Sequence, residues 1–255
     1  MKIIALVKQV PDTWGERVLD TETGLLDREA SDAIIDEINE RAVEVALQYK
    51  DDNKDTHVVA LAVGPKGATD ALRKALAMGA DSAIHVLDDG LSGADLAFTA
   101  DVIAAAAQRE GFDAIIAGNE STDGRGGVIP AMLAEKLGLP QVTYLDSVEL
   151  SADSVRGERA TEYGTLQVSS ALPAVVSVTE RSVEPRFPNF KGIMSAKKKP
   201  LDTVSLADLG VSAPAVKSVV ASVAKRPERS AGTKIVDDGT AATQLAEFLA
   251  SNRLI

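Results

Sequence analysis

The sequence predicts an α/β fold built on a doubly wound, mostly parallel sheet. Three observations carry this. Over the first 140 residues short apolar runs alternate with longer amphipathic segments, the runs are continuous rather than alternating in and out, and two of the amphipathic segments stop at a glycine. In chain order, Ile3–Val7 is the first strand, and Ala33–Tyr49 reads as a helix with apolar residues at Ile34, Ile35, Ile38, Ala42, Val45 and Ala46. His57–Val63 is the second strand, and Thr69–Met78 a helix closed by Gly79 as a left-handed cap. Ala83–Leu87 is the third strand, Leu96–Arg109 a helix closing at Gly111, and Asp113–Ala117 the fourth strand, with a further helix beginning near Pro130.

After Pro140 the texture changes. Gln141–Leu150, Ser154–Ala160, Gly164–Ser169 and Ala174–Val178 are rich in Val, Thr and Ser and read as strands with short turns, an antiparallel addition to the same sheet or to its edge. Arg181–Pro200 has little periodicity and is long for a connection, which marks it as functional or disordered. Pro214–Asp238 is irregular and partly basic, and Thr240–Ser251 is a last helix.

The 255 residues carry 38 acidic against 27 basic side chains, a formal net charge of −11, with 45% hydrophobic and 25% charged residues. These are values of a water-soluble globular chain, and the acidic balance argues against a nucleic-acid binder. The chain has no cysteine, which excludes disulfides, Cys-ligated zinc, iron–sulfur clusters and a thiol nucleophile. It has two histidines, His57 and His85, too few for a His-rich metal site, and both lie in strand-like runs where a hydrogen-bonded core histidine is the commoner role. No G-x-S-x-G elbow is present. The doublets Asp51-Asp52, Asp88-Asp89 and Asp237-Asp238 read as turn flanks. No catalytic residue and no metal site are therefore expected. The absence of a basic leader and of a run of about 18 apolar residues points to a cytoplasmic chain that does not enter the membrane.

Two segments stand out. The first follows the fourth strand: Gly118-Asn119-Glu120-Ser121-Thr122-Asp123-Gly124-Arg125-Gly126-Gly127. Glycines between the carboxyl end of a parallel strand and a helix N-terminus expose backbone N–H groups and a positive helix end, which suits a phosphate. Ser121, Thr122 and Arg125 add donors, and Gly64-Pro65 would open on the same sheet edge. The spacing matches neither G-x-G-x-x-G nor a Walker A box, so a loop that only turns the chain stays open as the plainer alternative. The second is Arg181–Pro200, where Arg181, Arg186, Lys191 and Lys197 to Lys199 stand against Glu184 alone, a local +5. Phe187, Phe190, Ile193 and Met194 are interleaved with these charges, two of the five phenylalanines of a chain only 4% aromatic. Apolar anchors ringed by cations suit a docking surface; the alternative is that they plug the loop onto the core.

Several motifs, in order along nearly the whole chain, make it resemble the electron transfer flavoprotein beta subunits. They are Val7-Lys8-Gln9-Val10-Pro11-Asp12, Ala75-Leu76-Ala77-Met78-Gly79-Ala80-Asp81 and Leu172-Pro173-Ala174-Val175-Val176, and most specifically Glu184-Pro185-Arg186 followed by Ile193-Met194-Ser195-Ala196-Lys197-Lys198-Lys199. One departure is Arg159-Ala160-Thr161-Glu162-Tyr163-Gly164, where the family favours a Gly/Asp/Glu-rich stretch, so an acidic residue near the flavin is replaced by Ala160 or shifted to Glu162.

The resemblance implies a Rossmann-like fold, similar to the adenine nucleotide alpha hydrolases. It implies a domain over 1–210 that includes a recognition loop at 181–200, and an arm and helix over 211–255 packing on a partner subunit. It implies a heterodimer whose alpha subunit holds most of an FAD, with AMP bound by the beta chain at Leu6, Asp36, Asn39, Val63, Gly118, Asn119, Ser121, Thr122, Asp123, Gly124, Arg125, Gly126, Gly127, Val128 and Ile129. Asp12–Trp14 would approach the flavin. Glu184, Arg186, Phe187, Phe190, Ile193, Met194, Lys197 and Lys198 would dock dehydrogenases such as those of fatty acid oxidation, and a membrane quinone oxidoreductase would reoxidise the flavin. Bifurcating relatives hold a second FAD in place of AMP; Asp123-Gly124-Arg125-Gly126 departs from the Asp-Gly-Asp-Thr type of loop associated with them and favours AMP. A stand-alone adenine-nucleotide module and an enzyme that turns over ATP remain as alternatives from other classes.

Overall fold

A computed structural model of the chain describes residues 1–213, 220–228 and 231–255. Its centre is a seven-stranded sheet, parallel throughout. The strands are β1 (Lys2–Leu6), β4 (His57–Val63), β5 (Ser82–Val86), β6 (Ala114–Gly118), β7 (Gln141–Leu145), β11 (Ala174–Val178) and β12 (Leu201–Val204). Their spatial order is β12-β5-β4-β1-β6-β11-β7. Helices α1 (Glu37–Asp52) and α2 (Ala68–Met78) cover one face, and α3 (Leu96–Glu110) and α4 (Ile129–Leu137) the other. Covering both faces is why β1, β4 and β6 are apolar at almost every position: Ile3 and Ile116 face one helical layer, Ile4 and Ile115 the other. Gly79 and Gly111 end their helices with φ of +147° and +74°, a region closed to most side chains. The four strands and the helices expected over the first 140 residues are all present, with boundaries shifted by a residue or two.

The first helix is the exception. Ala33–Ile35 is not helical but forms a short strand, β3, antiparallel to β2 (Gln9–Pro11), and α1 starts at Glu37. The stop is chemical: the extended Asp36 caps the helix by accepting from the Ile38 and Asn39 N–H groups, so the turn before it is left to sheet pairing.

The region after Pro140 also differs from the expectation. Gln141–Leu150 divides at Asp146 into β7, the edge of the main sheet, and β8 (Ser147–Leu150). With β9 (Ser154–Thr161) and β10 (Gly164–Ala171), β8 makes a separate antiparallel sheet. Ala174–Val178 is no antiparallel addition; it inserts between β6 and β7 as a parallel strand. All five of its residues are buried, the signature of a strand covered on both faces rather than one.

Arg181–Pro200 is a strap with structure of its own. It leaves β11 and delivers β12 to the far edge, five strand spacings away, or about 24 Å. The Arg186 guanidinium donates to both carboxylate oxygens of the buried Glu44 at 2.8 and 2.9 Å and to Asp51 at 2.8 Å. Helix α5 (Phe190–Ala196), capped by Asn189, lies against α2. Arg73 of α2 donates to the Ala196 and Lys199 carbonyls, and the Lys199 ammonium to the Leu76 and Ala80 carbonyls at the end of α2. Burial among these groups pulls the Lys199 pKa down. The C-terminal helix α6 (Ala241–Ser251) buries no residue on this chain. Part of the irregular stretch expected over Pro214–Asp238, residues 214–219 and 229–230, lies outside the described residues. No helix among the described residues is long and apolar enough to cross a membrane.

A Cβ on Gly192 would stand 2.4 Å from the Ala77 carbonyl oxygen, so the strap needs glycine at this contact. Gly192→Ala is expected to lift α5 from α2 and cost about 1–3 kcal/mol of stability, measured by denaturant unfolding, whereas Lys191→Ala at an exposed neighbouring position leaves stability within about 0.5 kcal/mol.

Candidate functional site

In a doubly wound sheet the strand ends splay apart where the chain reverses its direction of growth, and the crevice opens at the carboxyl ends. Here that point is β1, flanked by β4 on one side and β6 on the other. A cleft of about 1030 Å³ occupies it. Leu6, Leu61 and Ala117 from the strand ends form an apolar floor, and the loop after β6 with the start of α4 forms one wall. The opposite wall comes from the loops after β4 and β5, Gly64 to Lys66 and Leu87 to Ala94. The connection between β2 and β3 closes over it through Leu25, Leu26 and Arg28.

Of the residues assigned from sequence, Leu6, Asn39, Val63, Gly118, Asn119, Ser121, Gly126, Gly127 and Ile129 line this cleft together. Thr122, Asp123, Gly124, Arg125 and Val128 belong to the same loop but do not line the cleft, and Gly124, Arg125 and Val128 are exposed to solvent. Asp36 does not line it either. Its carboxylate is fully buried, and besides capping α1 it accepts from the Thr122 N–H at 2.7 Å and the Thr122 hydroxyl at 2.8 Å. One carboxylate thus joins the start of a helix to the glycine-rich loop. A Cβ on Gly118 would stand 2.6 Å from the Asn39 amide nitrogen and 3.0 Å from an Ile38 methyl, so any larger residue would have to displace both side chains. Gly127 adopts φ +66° beneath the Tyr144 hydroxyl, which donates to its carbonyl at 2.6 Å.

The polar groups left over define what the cleft accepts. Helix α4 starts after Val128 with no side-chain cap, so the N–H groups of Ile129 and Ala131 (Pro130 between them has none) and the positive helix end have no side-chain partner beside Gly126 and Gly127. Asn119 is buried, and its Oδ1 has no partner among the described residues, an acceptor waiting for a donor. A phosphate at the α4 end, a flat apolar ring on the floor and a hydroxyl or amino donor for Asn119 together fit an adenine nucleotide. Sequence reasoning had not assigned Lys8, Arg28 and Lys66 to this cleft. Lys8 and Lys66 sit two and three residues past the ends of β1 and β4, so the rule that ligands gather at carboxyl ends finds both; Arg28 needed the tertiary structure. His85 is a core histidine: its Nε2 lies 3.0 Å from the Gly64 carbonyl and its Nδ1 3.2 Å from the Thr69 hydroxyl.

The second predicted site is presented on the strap. Phe187 and Phe190 are 95% and 80% exposed, Ile193 and Met194 about half, and Lys191, Lys197 and Lys198 surround them. They do not plug the core. Arg186 is different, since its charge is committed to Glu44 and Asp51, which hold its proton more firmly than usual. Glu184 pairs with Arg41 at 2.9 Å while remaining open to solvent.

Residues 23–209 match the electron transfer flavoprotein domain. The chain is 48% identical to the electron transfer flavoprotein subunit beta of Mycobacterium tuberculosis, over 99% of each chain. It is 33% identical to the subunit beta of Megasphaera elsdenii over the full length of both. It is also 32% identical to the caffeyl-CoA reductase-Etf complex subunit CarD of Acetobacterium woodii, over 83% of this chain and 81% of that one.

Because Asp36 serves four donors at once, Asp36→Ala is expected to cost about 2–4 kcal/mol in thermal or denaturant unfolding, the loss of a helix cap plus a stranded loop N–H. Asp36→Asn, which keeps the acceptor for α1, is expected to lose less.

Proposed function

The chain belongs to the electron transfer flavoprotein family as a beta subunit, and on that premise we propose that it binds AMP in the cleft at the β1 switch point and docks primary dehydrogenases through the outer face of the strap. The family's work is flavin-mediated electron transfer. In this reading an alpha subunit completes a heterodimer and holds most of an FAD, whose chemistry is to accept electrons from a dehydrogenase, such as an acyl-CoA dehydrogenase of fatty acid oxidation, and release them to a membrane quinone oxidoreductase. The beta chain acts in the cytoplasm as an electron-carrier subunit and contributes position rather than bond-making.

The observation that carries the AMP assignment is the pairing of the uncapped α4 terminus with the unpartnered Asn119 Oδ1 in one cleft. The glycine-rich loop and the α4 N–H groups would hold the phosphate, Asn119 a donor of the sugar or base, and Leu6, Leu61 and Ala117 the ring. A second FAD in place of AMP is the alternative, because about 1030 Å³ is generous for a mononucleotide. Arg125 stands where the bifurcating type of loop carries an acid, which supports AMP.

Docking rests on Phe187, Phe190, Ile193 and Met194. Removing such side chains from water supplies affinity, while the lysines around them steer an acidic partner. Arg186, Glu44 and the Gly192 contact hold this face rigid, which lowers the entropy lost on binding. Trp14 is 95% exposed on the β2–β3 connection and is the side chain offered toward the flavin. Leu245 and Phe248 of α6, about half exposed on this chain, are assigned to the alpha subunit.

Nucleotide extracted from the purified heterodimer is expected to be AMP in equimolar amount with one FAD; two FAD and no AMP would overturn the assignment. A chain that is stable and complete without a partner would instead support a stand-alone nucleotide module. Phe190→Ala is expected to slow dehydrogenase-coupled flavin reduction roughly ten-fold with FAD content unchanged. Unchanged rates with several dehydrogenases would remove Phe190 from docking.

A further inference from the structure

The wall of the cleft at residues 64–66 lies between the end of β4 and the start of α2, so its own carbonyls show what holds it. Three of the four carbonyls over residues 64–67 are met by backbone donors. The Ala68 N–H donates to Pro65 at 2.9 Å, the Thr69 N–H to Lys66 at 3.2 Å and the Asp70 N–H to Gly67 at 3.0 Å. The Gln9 side-chain amide adds a further bond to the Gly67 carbonyl at 2.8 Å. The Gly64 carbonyl has no backbone donor among the described residues. Its partner is the His85 imidazole, whose Nε2 lies 3.0 Å away. Because the peptide after Gly64 leads into Pro65, it has no N–H, and this carbonyl is its only hydrogen-bonding group.

His85 is 1% exposed and stands between Ile84 and Val86, which pack toward α3 and α4, so its ring lies on the α1–α2 side of the sheet. Neither it nor Thr69 lines the cleft. A carbonyl only accepts, so Nε2 carries the ring proton. Nδ1 is then an acceptor, and the Thr69 hydroxyl, 3.2 Å away in the first turn of α2, donates to it. The ring thereby ties the end of β4 to the start of α2 behind the wall that joins them. Resting on the adenine-nucleotide reading of the cleft, we propose that His85 is a positioning residue for the nucleotide, holding the wall at residues 64–66 in its binding position through the Gly64 carbonyl. Without this donor the carbonyl is orphaned, and it turns to another partner only by moving Pro65 and Lys66, which line the cleft.

The test is calorimetric titration of the nucleotide-stripped heterodimer with AMP. His85→Leu, of similar size but with no donor, is expected to weaken binding by roughly ten-fold. His85→Gln, whose amide N–H can serve the Gly64 carbonyl, is expected to stay within roughly three-fold of wild type. Leu47→Ala opens the core beside Gly79, at the end of α2 remote from the cleft, and is expected to lower the unfolding temperature with AMP affinity unchanged. A folded His85→Leu variant with wild-type affinity overturns the proposal. So does a Leu47→Ala variant that loses as much affinity, because stability alone would then set binding, and so does a His85→Gln variant as weak as His85→Leu. If His85→Leu does not fold, the ring tautomer decides. In a heterodimer labelled with nitrogen-15 histidine, the resonances that vanish in His85→Gln are expected to be a slowly exchanging Nε2–H and a bare Nδ1, whereas an Nδ1–H tautomer overturns the proposal. The tautomer is read without nucleotide, so a wild type with the Nε2–H form that binds no AMP reports failure of the adenine-nucleotide reading and not of the hold on Gly64.

Discussion

The Asp36 carboxylate is the joint on which the cleft at the β1 switch point depends. Fully buried, it accepts from two backbone N–H groups of α1, from the Thr122 N–H and from the Thr122 hydroxyl. A buried carboxylate is tolerable only when its charge is met by donors in this way, and the energy of leaving any of them unpaired fixes their relative positions. Through this one group the start of α1, next to β1, is locked to the loop after β6, the two elements on either side of the sheet's switch point. Arg17 strengthens the link by donating to the Thr122 carbonyl from the β2–β3 connection.

A second constraint comes from sheet order. Strand β12 pairs with β5 although the preceding strand, β11, lies on the other side of β1 and β4, so the chain has to cross the α1–α2 face of the sheet. The crossing segment explains its own length, and its inward-facing groups are the ones that tie it down: Arg186 on Glu44, Gly192 on the Ala77 carbonyl, and Lys199 on the end of α2. What remains points outward, Phe187 and Phe190 foremost. A structural necessity thus supplies a rigid, apolar, basic face, and the proposed docking function uses a connection that the topology already demanded. The same economy applies in the cleft, where Asp123 both orders its loop and sets the charge balance of Lys8 and Arg28.

Much of this was legible along the chain. The parallel sheet followed from continuous apolar strands, the helix ends from Gly79 and Gly111, and the cleft loop from glycines placed between a strand and a helix. The strap's aromatic and basic residues stood out against an acidic chain with few aromatics. Where the reading differed, the cause was a local signal outweighed by a partner distant in sequence. Ile34 and Ile35 fit a helical face, but pairing with Val10 and Gln9 and the cap at Asp36 made them a strand. Ala174–Val178 sits among Val- and Ser-rich strands, yet burial on both faces between β6 and β7 made it part of the parallel core.

Fold class and the position of the glycine-rich loop could be read along the chain because periodicity and glycine's conformational freedom are local properties, and the family followed from the resemblance of motifs in their order. Folding was needed to make Asp36 a joint rather than a lining residue and Arg186 a clamp rather than a free charge, and to bring Lys8 and Arg28 to Asp123. Each of these roles belongs to a charge and the groups that meet it. The partners are 86 residues apart for Asp36 and Thr122, 142 for Arg186 and Glu44, and 115 for Lys8 and Asp123. What a buried charge does is set by the groups that balance it, and those meet only when the chain has folded.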